Sequence, residues 1–252
     1  MTASSAGSQF GNQLGDKVAL ITGAGSGVGR ATALALAMEG VWVGLLGRRS
    51  EPLAETARRI QSQSGIPATS RTTILPADVS DEEAVDDAIE QLVHDAGGLD
   101  ILVHCAGVGI YGAVEGYSLA DWQRTFDTNV TGLFLAARAV LPHLRARGGG
   151  SIVAISSGAG KHGYANRAAY SASKFAVHGF MESLAAEVGP AGIKCGTVVP
   201  GSILSDFGPS DVAAKRASGN RYLEPADVAT LIVHLLQQPA HAWTQEVNLW
   251  PF

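Results

Sequence analysis

Val18-Ala19-Leu20-Ile21-Thr22-Gly23-Ala24-Gly25-Ser26-Gly27-Val28-Gly29-Arg30 is the stretch on which the fold turns. A short apolar run meets four glycines, and the alanine- and leucine-rich Arg30–Met38 follows, which reads as strand, tight turn and helix. Such a turn lets backbone N–H groups approach a pyrophosphate at the positive end of a helix. The common spacing, with glycines first, third and sixth, fails: the sixth position is Val28 counted from Gly23 and Arg30 counted from Gly25. Glycines serving only a flexible turn are the alternative, but their place directly after the first strand favours nucleotide binding.

Outward from this turn the pattern repeats. A second buried strand spans Val41–Leu46, then helix Pro52–Gln63, strand Thr72–Ala77, helix Glu82–Ala96 and strand Ile101–Val103. Ser80 and Glu83 resemble a capping box for the third helix. Asp121–Arg147 reads as one long helical segment, and a helix Ala226–Gln237 and a strand Glu246–Trp250 close the chain. Strands alternating with helices imply parallel crossovers. The expectation is one doubly wound Rossmann-type α/β domain over residues 16–252, with about seven parallel strands and helices on both faces. Residues 1–15, rich in Ser, Gly and Ala, read as a flexible tail.

At 252 residues, 46% hydrophobic, the chain can bury a substantial core. Its net charge of -5 argues against nucleic acid, whose phosphates demand a basic face. No apolar run has the length to cross a bilayer, and the expected location is cytoplasmic. Cys105 and Cys195 sit in apolar runs and read as reduced thiols, and the seven His offer no zinc spacing, so no metal site is expected.

The second strand ends in Gly47-Arg48-Arg49. A dinucleotide site reads the adenosine ribose here, with an acid for NAD or an arginine for the 2′-phosphate of NADP. The acid is missing and the two guanidiniums suit phosphate, which places NADP(H) ahead of NAD(H); a solvated charge pair is the alternative. Asp78, at the end of the third strand, serves the site or the following helix cap equally well. Asn129, inside a helical segment, marks a local distortion, a bound water or a satisfied polar group.

Ser157, Tyr170 and Lys174 carry the chemistry. Ser157 follows the strand-like run Ser151–Ser156, and Tyr170–Glu187 reads as a half-buried helix on which residues four apart share a face. Lys174 is therefore a neighbour of Tyr170. A free tyrosine titrates near pH ~10, and bringing it to about 7 takes roughly 4 kcal/mol. One charge about 4 Å away at an effective dielectric of ~20 supplies that much. The serine hydroxyl could polarise a carbonyl oxygen beside this proton donor.

These motifs together resemble the short-chain dehydrogenase/reductase family from about Lys17 onward: Thr22-Gly23-x-x-x-Gly27-x-Gly29, Asp78-Val79, Ala106-Gly107, Asn129, Ser157, Tyr170-x-x-x-Lys174 and Pro200-Gly201. The resemblance implies a carbonyl reductase or alcohol dehydrogenase with Tyr170 as general acid and base, Ser157 polarising the substrate oxygen, Lys174 lowering the tyrosine pKa and holding the nicotinamide ribose, and Asn129 placing a relay water. It implies cofactor contacts from Gly23, Ser26, Gly27, Val28, Gly29, Arg48 and Arg49 at the phosphates, from Asp78 and Val79 at adenine, and from Cys105, Ala106 and Gly107 at the adenosine side. Pro200, Gly201 and the Ile203 backbone would meet the nicotinamide side. The substrate, a ketone, aldehyde or 3-oxo acid, would be selected by the loops Val108–Val114 and Gly158–Tyr164 and the segment Gly201–Glu224, with Lys161 and His162 as candidate anion contacts or plain surface residues. A homotetramer is the family default, with a dimer second. Departures include His104-Cys105 where the family commonly has Asn-Asn, and Ser205 where a Thr is common. The alternatives are an NAD-dependent dehydrogenase of the same fold, a non-catalytic dinucleotide sensor, for which a tuned phenol has no use, and a methyltransferase, which would leave Tyr170 and Lys174 unexplained.

Overall fold

The computed structural model describes residues 14–63, 71–209 and 211–252. Seven parallel strands form one sheet in the order β3-β2-β1-β4-β5-β6-β7. They are β1 (Val18–Thr22), β2 (Trp42–Gly47), β3 (Thr72–Pro76), β4 (Ile101–His104), β5 (Gly150–Ile155), β6 (Ile193–Pro200) and β7 (Glu246–Leu249). Every residue of β1 is buried, as a central strand covered on both faces requires. The order reverses beside β1, where β4 pairs with it in register from Ala19↔Ile101 to Thr22↔His104. In open α/β sheets the crevice at such a switch point, outside the carboxyl ends of the strands, is where ligands bind.

Two apolar layers hold the helices. Leu36 of α1 (Gly27–Met38), Leu53 of α2 (Ser50–Ser62) and Ile232 of α8 (Pro225–Leu236) share one core with Ile21 and Val153. Leu92 of α3 (Glu82–Ala96), Leu133 of α5 (Gly132–Ala146) and Val177 of α6 (Ala168–Val188) share the other with Leu20 and Ile152. A short α7 (Val212–Ala217) lies in the loop after β6.

Three local expectations change. The segment read as one helix over Asp121–Arg147 is α4 (Leu119–Phe126), a π-turn at Asp127–Thr131, and α5. The widened turn is the distortion that Asn129 signalled. Asp81, not Ser80, caps α3, its side chain accepting from Ala84 N at 3.2 Å. Residues 1–13 of the expected tail lie outside the described residues, whereas Leu14 is packed into the core at 3% exposure.

Candidate active site

The cleft opens at the carboxyl ends of β1, β2, β3 and β4. Gly23 adopts φ +67°, and a Cβ there would stand 2.9 Å from Ala106 N, so only glycine lets the β1 and β4 ends close on each other. A Cβ on Gly29 would lie 2.3 Å from the Gly23 carbonyl oxygen. The turn is thus folded back on the first turn of α1. Ser26 is the N-cap of α1 and makes no side-chain cap hydrogen bond, which leaves the helix end facing the cleft without an internal anion.

Gly23, Ser26, Arg48, Arg49, Asp78, Val79, Ala106 and Gly107 line this single cleft. Gly25 of the glycine cluster and Val108 also line it, as do Pro52 and Thr128, for which the sequence suggested no site role. Gly27, Val28 and Gly29 shape the turn rather than its wall. Ser205 lies beside them, its Cβ 3.7 Å from where a Gly27 Cβ would be. That contact brings the chain after Pro200, Gly201 and Ile203 to the cleft, and the bridge Ile203↔Leu223 anchors the loop. Cys105 is half-buried and packs against the α1 side of the sheet, and burial pushes its thiol up to about 12.

Arg48 Nη1 is 3.8 Å from Asp78 Oδ2. The other Asp78 oxygen accepts from Ser80 N at 3.0 Å and Ser80 Oγ at 2.7 Å. Asp78 therefore locks the turn before α3 and faces Arg48, without capping the helix. The fit to a nicotinamide dinucleotide rests on this set: glycines that a Cβ would displace, an open helix N-terminus, and two guanidiniums at the end of β2.

On the other side, Tyr170 is 6% exposed, and Ser157 acts on its hydroxyl, opposing the rise that burial gives its pKa. Ser157 Oγ also accepts from Ala159 N at 3.2 Å. Lys174 is buried, and its Nζ donates to the Ile155 carbonyl at 2.8 Å. Nζ stands 5.9 Å from the Tyr170 ring centroid; burial dominates at the phenol, raising its pKa against the opposing influence of Ser157. Burial likewise lowers Lys174 to about 8.

Asn129 satisfies its amide completely: Oδ1 accepts from Val108 N at 2.7 Å, and Nδ2 donates to Val108 O and to Ser173 Oγ, both at 3.0 Å. Ser173 Oγ in turn donates to the Tyr170 carbonyl at 2.7 Å. The π-turn is thereby tied to the β4 loop and to the helix bearing Tyr170. Lys161 is held by Glu246 in an ion pair and is no free anion contact. Arg167, three residues before Tyr170, went unread.

The family model "short chain dehydrogenase" matches residues 17–215. Glycine betaine reductase ATRR of Emericella nidulans is 36% identical over 94% of this chain, which spans only 19% of that protein's length. An uncharacterised oxidoreductase of Staphylococcus aureus (strain USA300) is 33% identical over 94% of this chain and 98% of its own. Among solved structures, a metagenomic short-chain oxidoreductase in complex with NADP is 30% identical, covering 95% of this chain and 98% of its own, with a TM-score of 0.81.

Proposed function

The chain belongs to the short-chain dehydrogenase family, and from that premise we propose that it is an NADP(H)-dependent oxidoreductase that interconverts a carbonyl compound and its alcohol. The observation that carries this reading is the pair of Ser157 and Tyr170, brought together beside the buried Lys174 at the end of the sheet that also bears the glycine turn.

The nicotinamide dinucleotide, when bound, supplies or accepts hydride. The Gly23–Gly29 turn and the α1 N-terminus would take its pyrophosphate, and Arg48 and Arg49 its 2′-phosphate. Asp78 and Val79 would meet adenine, and Lys174 the nicotinamide ribose. Ser157 and Tyr170 would both donate to the substrate oxygen, offsetting the negative charge that develops there. A phenol whose pKa burial raises stays protonated at neutral pH, the state a general acid needs for reduction. Asn129 positions this machinery through Ser173 and Val108. Exposed Trp122, Phe134 and Phe175 on α4, α5 and α6 support assembly into a homotetramer, with a dimer as the second reading.

The test is the initial rate of NADPH and NADH consumption by the purified protein across small ketones, aldehydes and oxo acids, with Tyr170→Phe alongside. Turnover with NADPH that disappears in Tyr170→Phe supports the reading; equal rates in the two proteins would sink the tyrosine mechanism.

A further inference from the structure

Tyr170 is flanked by two further rings. Tyr111 meets Tyr170 edge-on with centroids 5.6 Å apart, and Phe207 lies tilted 5.7 Å from Tyr170. The two rings close on Gly109, where a Cβ would stand 2.7 Å from Phe207 Cε1 and 2.9 Å from the Tyr111 hydroxyl. At the rim sits Arg167, exposed, its guanidinium carbon 4.8 Å over the Tyr111 ring and 5.4 Å over the Tyr164 ring.

Nearby lysines are already engaged. Lys161 pairs with Glu246, and Lys215 donates to the Ser205 and Phe207 carbonyls. Arg167 has no carboxylate partner among the described residues. Its guanidinium lies against two rings and makes no side-chain hydrogen bond among the described residues, which leaves N–H groups that can recognise a carboxylate two at a time. Its charge is felt in the pocket: against the dominant effect of burial, it pulls the pKa of both Tyr170 and Tyr111 down.

We propose that Arg167 anchors an anionic group of the substrate, so that the site takes oxo acids whose carboxylate pairs with Arg167 and whose chain runs along Tyr111 and Phe207. This rests on the oxidoreductase reading above and names its substrate class. A set of aromatic rings could also hold a quaternary ammonium by cation–π attraction. Arg167 already lies over the Tyr111 face, however, and a second cation beside it would be repelled.

Kinetics with NADPH decide it, using 3-oxo carboxylates of four, six and eight carbons, their methyl esters, and betaine aldehyde, on the wild type, Arg167→Ala and Arg167→Lys. In parallel, each acid and ester is titrated calorimetrically into the NADP⁺-saturated protein. Arg167→Ala is expected to lower kcat/KM for the acids about ten- to hundredfold, the loss expected for a hydrogen bond to a charged group, mainly through KM. The esters should be unchanged and Arg167→Lys should recover part of the loss. Acid and ester losing alike, or betaine aldehyde outpacing every acid, overturns the proposal. Charge-dependent binding lost in Arg167→Ala, without turnover of any carbonyl, would uphold the anchor while removing the oxidoreductase reading.

Discussion

His178 Nε2 lies 2.9 Å from Ser156 Oγ, a contact buried directly beneath the helix turn that carries Lys174. The Nδ1 of the same ring is 3.2 Å from Glu246 Oε2 on β7. A neutral ring with its proton on Nδ1 satisfies both, donating to the carboxylate and accepting from the serine hydroxyl. This chain joins β5, α6 and β7 behind the active site. Burial, then the charge of Lys161, lowers the His178 pKa, with Glu246 and Glu182 opposing. A lowered histidine pKa favours the neutral ring in the folded state, so its stability contribution falls as pH drops below about 6.5. His178→Ala should cost about 2 kcal/mol at pH 7.5 in urea unfolding, since Ser156 loses a partner in a buried place. A cost under about 0.5 kcal/mol would show that the contact contributes nothing.

Cofactor choice should respond to the end of β2. Arg48 and Arg49 both line the cleft, and β2 ends in Gly47 rather than in an acid. The double change Arg48→Ala, Arg49→Ala should raise KM for NADPH about ten- to hundredfold, the loss expected for charge-assisted hydrogen bonds, while KM for NADH moves less than about threefold. Equal changes for both cofactors would mean that these residues shape the turn and read no phosphate.

His104 should dominate one part of the acid limb. Its Nδ1 is 3.1 Å from the Thr22 hydroxyl, its Nε2 is buried without a partner, and burial and Lys174 hold its pKa at about 3. The folded pKa is depressed, so stability is lost as pH falls from about 6.5 towards 3. His104→Asn removes that group. The stability difference between wild type and variant should shift by about 3 kcal/mol between pH 7 and pH 4 in favour of the variant. A difference that stays constant over that range would remove His104 from the account.

The order of elements was legible because local signals agreed with the fold: apolar runs for strands buried on both faces, glycines where two strand ends close, and Pro225 at the first turn of α8. The site was legible where spacing along one helix or strand sets geometry, as for Tyr170 and Lys174. It was not legible where the partner comes from far along the chain. Lys161 looked free until β7 placed Glu246 against it, and no spacing along the helix showed that the Lys174 ammonium also donates to the Ile155 carbonyl. The π-turn was half legible: an asparagine in a helix warns of trouble, but only Val108 and Ser173 say what it holds. Arg167 carried no such signal, because it lies ahead of the helix read from Tyr170 and is placed by the Tyr111 and Tyr164 rings.

Lys174 should trade stability for function. Burial lowers its pKa from 10.5 to about 8, so at neutral pH the folded protein keeps an ammonium in a place that disfavours it. Because the folded pKa lies below the unfolded one, this penalty is fully present below pH 8 and is relieved as pH rises from about 8 to 10.5. The shift corresponds to about 3 kcal/mol at most, from which the lost hydrogen bond to Ile155 takes about 1 kcal/mol. Lys174→Met, close in shape and uncharged, should therefore be more stable than wild type by about 1–2 kcal/mol at pH 7 and gain nothing at pH 10, while losing turnover. Urea unfolding of both proteins at the two pH values measures this, and groups common to both cancel in the difference. A variant less stable at pH 7 would mean that the hydrogen bond outweighs the burial of the charge. A gain of equal size at pH 10 would mean that packing, not protonation, is its source.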